Sequence, residues 1–269
     1  MFYVVNELNL DGCAMIELSK KVGRLALTAS VFSLTGLFDS AVQAQQGTAV
    51  VEVNYDDKKP GYDFSVAYGG YQKIGSEEFA SLNSLLVKTS KTLTDGGKDG
   101  GAFEVALDNS EAEVPPREKR SYAYMGLGAG INGALIDSDL SSFKEEDFRV
   151  VFDAKIENGK PMRQSRFELH FITTDGNGPT GDDDKDDDLL CQLNYAGSQS
   201  PVKMELNDEF QTIEVELADM SVEKGSIEQI QKFNTRGITL IVIAEDAPER
   251  FAIGGDTKLI VDNYRLIKK

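Results

Sequence analysis

The only histidine of the chain, His170, lies in a short segment in which polar and apolar residues alternate. In a β-strand, alternate side chains point to opposite sides, so Arg166, Glu168 and His170 would share one face. A cation, a carboxylate and a base side by side can transfer protons or bind the polar groups of a ligand. The same pattern is also typical of a solvated strand face with alternating charges.

The rest of the chain lacks a complete set of residues for the common hydrolytic mechanisms. A serine triad needs a histidine base and a nucleophile elbow, and no Gly-x-Ser-x-Gly segment is present. A zinc site usually needs several histidines or cysteines, and the chain has one histidine and two cysteines. A glycosidase needs two suitably separated carboxylates, whereas residues 245–249 (Glu-Asp-Ala-Pro-Glu) have the wrong spacing and are predicted to form a proline turn. We therefore predict that the chain is not an enzyme.

Period-two alternation predicts an all-β fold. Residues 148–156 place five apolar side chains on one face, and residues 238–244 are apolar on both faces, as in a central strand. Ile227, Ile230 and Phe233 have helical spacing and predict one short crossover helix, while the Gly-rich residues 94–101 predict a turn. Many short strands and little helix predict a sandwich or barrel. The other predicted strands are residues 49–55, 102–107, 122–127, 166–171, 212–217 and 258–266.

The N-terminal region resembles a secretory leader. Three basic residues precede an apolar run over residues 25–38, and small residues precede a cleavage point after Ala44. We predict a signal peptide over residues 1–44, with Met15 as an alternative start, followed by a single domain over residues 45–269. The protein would then be secreted or periplasmic. A buried amphipathic helix is the alternative for the apolar run, and no later run is long enough for membrane insertion.

The charge of the chain restricts its partners. A formal net charge of −17 repels nucleic acid and anionic lipid, so neither is expected as a partner, while neutral ligands and cations remain candidates. Acidic residues crowd the Asp-rich loop at residues 182–188. This loop resembles a calcium loop in composition but lacks the EF-hand spacing and its closing glutamate, which favours a solvated loop.

One segment resembles the strand of a known enzyme family. Residues 166–170 (Arg-Phe-Glu-Leu-His) are similar to the Arg-x-Glu-Leu-Arg strand of jelly-roll alginate lyases. In such a lyase, positive side chains neutralise the substrate carboxylate and a His/Tyr pair abstracts the proton. Here His170 replaces the last arginine, and the Gln-Ile-His and terminal Tyr-Phe-Lys motifs of the family are missing. A lyase or hydrolase on a jelly-roll fold therefore remains the alternative to a non-catalytic protein.

A broader resemblance covers roughly residues 49–269. Residues 259–266 (Leu-Ile-Val-Asp-Asn-Tyr-Arg-Leu) resemble the closing strand of carbohydrate-binding modules with the galactose-binding-like jelly-roll fold. Residues 210–220 resemble the strand of that family with a Leu-x-Asp-Met ending, and residues 53–57 resemble its opening. Modules that bind β-glucans are the most similar in pattern. The resemblance implies a jelly-roll β-sandwich that binds a polysaccharide or oligosaccharide.

The resemblance also implies a structural calcium ion. Many members of the family hold one between the opening and closing strands, where a hard cation ties oxygen ligands from both ends of the chain. Carried over to this sequence, the metal ligands would be Asp56 and Asp262, with Glu52 or Asp57 in reserve. A turn aspartate and a hydrogen-bonded residue at a strand end are the alternatives for the first two.

Sugar recognition needs flat aromatic faces, and the chain has no tryptophan, so tyrosines must serve. Tyr122 and Tyr124 are the preferred pair because alternation places them side by side on one strand face. With Arg166, Glu168 and His170 they form the predicted ligand-binding set. Core or rim tyrosines are the alternative, and a structural or adhesion protein is a third functional hypothesis. Other tyrosines lie in an early stretch predicted to be rich in loops, at positions Tyr62, Tyr68 and Tyr71.

Overall fold

Antiparallel β-sheets dominate the structure, a computed structural model, as the alternation in the sequence predicts. It describes residues 47–56, 63–108, 112–173, 189–196, 204–233, 235–252 and 256–269. The predicted signal peptide at residues 1–44 and the Asp-rich loop at residues 182–188 lie outside the described residues. Residues 47–269 form one structural unit.

Thirteen strands are present in the described ranges. They are β1 (Thr48–Val53), β2 (Asp63–Lys73), β3 (Phe79–Ser81), β4 (Val87–Leu93), β5 (Ala102–Asp108), β6 (Arg120–Leu135), β7 (Phe148–Glu157), β8 (Arg166–Ile172), β9 (Leu189–Ala196), β10 (Gln211–Glu216), β11 (Ser221–Gly225), β12 (Gly237–Asp246) and β13 (Asp256–Lys268).

These strands form two sheets in which neighbouring strands are antiparallel. The six-stranded sheet has the order β10-β7-β13-β5-β4, and β1 pairs with the end of β13. The seven-stranded sheet has the order β11-β9-β8-β12-β6-β2-β3. The arrangement confirms the predicted all-β jelly-roll sandwich, in which consecutive segments often lie in different sheets.

The apolar layer between the sheets is built from the inward positions of each strand. Phe152 of β7 meets Phe167 of β8 edge to face, with ring centroids 5.2 Å apart. Tyr264 of β13 is buried, and its hydroxyl donates a hydrogen bond to the carbonyl of Ala129 on β6 at 3.1 Å. Each contact joins one sheet to the other, because the two partners belong to different sheets. Aromatic side chains therefore hold the sandwich together across its thickness.

The closing strand β13 changes partner at a bulge. Residues 256–261 pair with β5, and residues 264–268 pair with β1, while β7 runs along the other edge. Between these two stretches the register shifts, and Asn263 adopts a positive φ of 53°, which asparagine tolerates better than most residues. The Asp262-Asn263 pair in the closing motif thus marks the point at which one strand is shared by two partners.

A single α-helix occurs in the described residues, α1 (Ile227–Lys232), as predicted for the crossover. Ser226 and Gln229 form a capping box, in which the Ser226 hydroxyl accepts from the Gln229 backbone and the Gln229 side chain accepts from the Ser226 backbone. The buried side chain of Ile230 fixes the helix against the sandwich. In the part of the chain that the structure describes, no helix is both long and apolar enough to cross a membrane.

Two predictions about local structure are wrong. The early stretch predicted to be rich in loops contains β2, which pairs with β6 along eleven residues and carries Tyr68 and Tyr71. Residues Glu245 and Asp246, predicted to lie in a proline turn, are the last two residues of β12, and the turn begins after them. The Gly-rich residues 94–101 do form the predicted turn, which connects β4 and β5.

Candidate functional site

The candidate site is the face of the seven-stranded sheet that points away from the apolar layer, which we call the outer face. Along β6 the inward side chains alternate with Tyr122, Tyr124 and three glycines, at positions 126, 128 and 130. The glycines leave room for large side chains of β2 and β12. A Cβ atom at Gly126 would lie 2.3 Å from the ring of Tyr68, so that ring can only pass over a glycine.

Three tyrosines meet at one end of the outer face. The rings of Tyr122 and Tyr124 are stacked, with centroids 5.6 Å apart and an interplanar angle of 29°. Tyr68 packs against Tyr124 at 6.2 Å with a tilted ring. Tyr122 is 49% exposed and Tyr124 is partly buried, so the pair presents aromatic surface to solvent. The structure therefore places the two preferred tyrosines side by side, and it adds Tyr68 to them.

Tyr68 connects the tyrosines to the polar residues of the outer face. Tyr68, Gly126 and Glu245 lie in one row across β2, β6 and β12. The Tyr68 hydroxyl donates a 2.5 Å hydrogen bond to Glu245 Oε2, and Arg166 Nη2 lies 3.4 Å from the same hydroxyl and 3.8 Å from that carboxylate. Burial, followed by the hydrogen bond to Glu245, raises the pKa of Tyr68 well above its usual value. Tyr68 is therefore a neutral donor at physiological pH.

Arg166, Glu168 and His170 share one face of β8, as their alternation predicts. Glu168 binds Arg166 through one carboxylate oxygen, and its other oxygen lies 3.2 Å from His170 Nε2. Gln192 of β9 donates to that second oxygen at 3.3 Å and to Asn194 Oδ1 at 3.0 Å. The hydrogen bond from His170, together with the positive charge of Arg166, lowers the pKa of Glu168 against the opposing effect of burial. Glu168 is thus the ionised centre of a polar network.

This network makes a testable prediction about acid stability. Glu168→Gln should lower the free energy of unfolding at pH 7 by about 1 kcal/mol, because it removes charge-assisted hydrogen bonds. The pKa of Glu168 is lower in the folded than in the unfolded chain, so its contribution is present above about pH 4 and is lost as the carboxylate is protonated below that. Thermal melts from pH 7 to pH 3 should show the two proteins converging in acid. A difference in melting temperature that stays constant from pH 7 to pH 3 would contradict a stabilising role for the ionised Glu168.

Two of the predicted metal ligands, Asp56 and Asp262, lie around the turn between β4 and β5. Asp56 Oδ1 accepts a hydrogen bond from the backbone of Gly101 at 2.7 Å. The buried Asp262 accepts from the backbone of Lys98 at 3.0 Å and from that of Asn263 at 2.7 Å. Glu52 is exposed on β1. The structure therefore brings Asp56 and Asp262 to one turn but leaves Glu52 outside it.

A lysine, rather than an open space, faces the buried acids of this region. Asp153 of β7 is the cross-strand neighbour of Asp262, and its Oδ1 accepts a 2.9 Å hydrogen bond from Lys98 Nζ. Calcium needs six to eight oxygen ligands, whereas these carboxylates are bonded to N–H groups and to an ammonium group. The described residues contain no cluster of three or more His, Cys, Asp or Glu side chains that could hold a metal. As they are bonded here, the described residues do not fit the implied calcium ion, and the reserve ligand Asp57 lies outside them.

A chelator melt tests the calcium prediction directly. We expect the melting temperature to be the same in excess EDTA and in millimolar CaCl2, because Lys98 already supplies positive charge to Asp153 at 2.9 Å. MgCl2 at the same ionic strength controls for general salt effects. A melting temperature that rises with CaCl2 but not with MgCl2 would support the predicted calcium ion, since a ligand that binds only the folded state raises its apparent stability.

Sequence patterns do not identify every residue of the outer face. They predict a loop at Tyr68 and a turn at Glu245, and they do not single out Gln192 or Asn194. Alternation identifies which residues of one strand share a face, but it does not reveal which strands are neighbours. The contact between Tyr68 and Glu245 joins residues 177 positions apart and depends on the order β12-β6-β2.

Comparisons with known proteins find similar solved structures but no matching family. No protein-family profile matches the chain, and no curated protein matches it. Among solved structures it is similar to the family 11 carbohydrate-binding module from Clostridium thermocellum in complex with a β-1,3-1,4-mixed-linked tetrasaccharide, at 15% identity and a TM-score of 0.40, over 82% of this chain and 98% of that one. It is also similar to a family 30 module of a cellulosomal cellulase of that organism, at 10% identity and a TM-score of 0.40, over 81% and 98%. Carbohydrate-binding modules recur among these similar structures.

Proposed function

We propose that the outer face of the seven-stranded sheet binds a polysaccharide and that the chain is a non-catalytic carbohydrate-binding domain. The observation that carries the proposal is the stacked pair Tyr122 and Tyr124 next to a row of hydrogen-bonding side chains. Sugar rings present apolar C–H faces and a rim of hydroxyls, so they need a flat aromatic surface together with polar partners. Both requirements meet on one sheet face.

The polar partners are already held in place before a ligand arrives. Tyr68 is fixed by Glu245, and Glu168 is fixed by Arg166, His170 and Gln192. Side chains that are ordered in advance lose less conformational entropy on binding. All of them lie on strands rather than on loops, which gives the site a rigid base. Such a face favours recognition of an extended chain of sugars over a single small molecule.

The same contacts argue for binding rather than proton abstraction. A lyase similar to the jelly-roll alginate lyases needs a histidine and a tyrosine that act together on one carbon atom. Here His170 Nε2 is bonded to Glu168, while the Tyr68 hydroxyl is bonded to Glu245 two strands away. Each candidate for proton transfer therefore has its own carboxylate partner.

Affinity electrophoresis tests the proposal. The chain from residue 45 onward should be retarded in gels that contain a soluble polysaccharide, and mixed-linkage β-glucan, xyloglucan and laminarin are the first to try, given the resemblance to β-glucan-binding modules. Bovine serum albumin in the same gels corrects for sieving. Retardation by none of a broad polysaccharide panel would contradict the proposal, and calcium-dependent self-association in that case would favour an adhesion protein. Release of unsaturated or reducing products, lost in His170→Ala, would favour the lyase or hydrolase.

We further propose that the protein is exported, so that it meets polysaccharide outside the cytoplasm. The proposal rests on the basic start, the apolar run and the small residues before Ala44. Expression in a bacterial host, followed by N-terminal sequencing of the exported protein, should give Gln45 as the first residue. Protein that stays in the cytoplasm with residues 25–38 attached would contradict export.

A further inference from the structure

A cleft of about 590 Å³ opens at the end of the sandwich next to Tyr122. Three segments line it: the start of β6 with the turn before it, the connection from β7 to β8, and the connection from β12 to β13. Tyr122 lines the cleft and also belongs to the stacked pair of the outer face. The cleft is therefore continuous with the proposed sugar-binding surface.

The charge of this cleft is opposite to that of the whole chain. Its walls carry four cationic side chains and one carboxylate, in a chain whose net charge is −17. The cations are Arg117, Arg120, Lys160 and Arg250, and the carboxylate is Glu249. We call this feature the basic cleft. An excess of cations at one point of an acidic protein attracts an anion locally, because repulsion from distant charges is screened beyond about 8 Å at physiological salt.

The ion pairs around the basic cleft leave positive charge without a partner. Arg120 binds Glu249, and Arg250 Nε lies 3.7 Å from Asp246 Oδ2. Arg117 and Lys160 form no ion pair with any described residue. Burial would raise the pKa of Glu249, but a hydrogen bond to its own backbone lowers it first, and the charges of Arg120 and Arg117 lower it further. One carboxylate therefore faces two arginines.

Arg120 is a buried cation of the basic cleft. Its side chain is only 8% exposed, and its Nε has no hydrogen-bond partner among the described residues. A buried cation is costly unless its donors are satisfied, and a guanidinium has five N–H donors. An anion bound in the cleft would add negative charge beside this guanidinium, whose ion-pair partner Glu249 is itself half exposed.

We propose that the basic cleft binds the carboxylate or sulfate group of an acidic polysaccharide while a neighbouring sugar stacks on Tyr122. The inference rests on the proposed function and specifies its ligand as anionic. Guanidinium groups suit both anions, since their planar fork of donors matches two oxygens at once. The outer face would hold the sugar rings, and the cleft would select those chains that carry a negative group next to the tyrosine pair.

Isothermal titration with paired polysaccharides tests the inference. Carboxymethylcellulose against hydroxyethylcellulose isolates the carboxylate, and carrageenan against its desulfated form isolates the sulfate. We expect at least one anionic member to bind about 10-fold more tightly than its neutral partner, with a difference that shrinks as NaCl rises from 20 to 300 mM. The pair that shows the preference identifies the source of the anion.

Variants locate the effect in the cleft. Arg117→Gln/Lys160→Gln should remove the preference for the anionic member and leave binding of the neutral member unchanged. Lys88→Gln/Lys91→Gln removes the same charge from β4 in the other sheet and should leave the preference intact. Equal loss in both double variants would mean that only net charge matters, and this would overturn the inference.

The two proposals fail in different ways. If neutral and anionic polysaccharides bind equally well, the basic cleft is not a ligand site, although the proposed function stands. If no polysaccharide binds, the proposed function falls and this inference falls with it. If the anionic preference survives in Arg117→Gln/Lys160→Gln, the anion binds elsewhere and the assignment to the cleft is wrong.

Discussion

Replacing Tyr122 and Tyr124 together by alanine should lower the affinity for any bound polysaccharide by about 10- to 100-fold. Each stacked aromatic ring contributes about 0.5–1.5 kcal/mol beyond the area it buries, and a tenfold change corresponds to about 1.4 kcal/mol. The two rings support each other at 5.6 Å, so removal of both takes away the whole exposed platform. Affinity electrophoresis compares the variant with the wild type in the same gel.

The controls separate loss of the platform from loss of the fold. Tyr122→Phe/Tyr124→Phe keeps the rings and should keep most of the affinity. Phe210→Ala removes an aromatic ring next to β10 in the six-stranded sheet, where it packs under Lys155 Nζ, and should not affect retardation. Tyr122 is half exposed, so the alanine variant should melt close to the wild type. Full retardation of the alanine variant would remove the tyrosine pair from the site.

The largest expected effect on stability comes from Lys98. Lys98→Met takes the ammonium group from Asp153, which is buried and directly opposite Asp262. Breaking a fully buried ion pair costs about 3–5 kcal/mol, and since Lys98 is 40% exposed, solvent screening reduces the expected loss to about 2 kcal/mol. This corresponds to a fall in melting temperature of about 4–8 °C for a domain of this size. Differential scanning calorimetry at pH 7 measures it.

The pH dependence of the stability lost in Lys98→Met distinguishes the Lys98–Asp153 ion pair from ordinary packing. Burial, and after it the charge of Asp153, raises the pKa of Asp262 despite its backbone hydrogen bonds. A carboxyl whose pKa is raised on folding loses stability as pH rises through that pKa, and removal of Lys98 should raise it further. The difference between variant and wild type should therefore be large at pH 7 and smaller near pH 4. A difference that grows in acid would contradict this explanation.

Lys91→Met provides the matched control for Lys98→Met. Lys91 pairs with the buried Glu104 at 3.1 Å, but Lys258 lies 3.4 Å from the other oxygen of that carboxylate. Loss of Lys91 thus leaves Glu104 with a second cation. We expect the melting temperature of Lys91→Met to stay within about 2 °C of the wild type. A large fall in the melting temperature of Lys91→Met would show that the effect of Lys98→Met is not specific to Asp153.

The sequence predicted strands whose inward positions are all apolar. In β7 the five apolar positions from Phe148 to Ile156 are all buried, and β8 alternates buried and half-buried residues along its length. The last strand was predicted as well, because its apolar positions continue on both sides of the bulge. Burial enforces such a pattern directly, since a shift of one residue would turn every apolar side chain toward water.

The strands β2 and β4, which lack such an apolar pattern, were missed. β2 contains Gly69 and Gly70, which lower strand propensity, yet they are needed because a Cβ at Gly69 would lie 2.9 Å from the carbonyl of Tyr124. β4 is almost entirely exposed at a sheet edge, so its polar sequence carries little information about its structure. In both cases the structure depends on a neighbouring strand that is distant in sequence.

The candidate site was predicted in parts but not as a whole. Alternation placed Tyr122 with Tyr124, and Arg166 with Glu168 and His170, on their respective strands. Only the order β8-β12-β6-β2 shows that both groups share one face and that Tyr68 connects them. The basic cleft was also missed, because its cations come from three segments that are far apart in the sequence. The net charge of −17 pointed away from an anionic ligand, since a sum over the chain does not reveal a local reversal.

Chemical-shift mapping with an oligosaccharide tests the central claim most directly. The experiment uses the chain labelled at its tyrosine rings and a soluble oligosaccharide of the polysaccharide that retards it. We predict that the ring signals of Tyr122 and Tyr124 shift first and most, that those of Tyr68 follow, and that the buried Tyr264 between the sheets stays unchanged. Saturable shifts confined to the six-stranded sheet, with Tyr122 and Tyr124 unmoved, would contradict a sugar-binding role for the outer face.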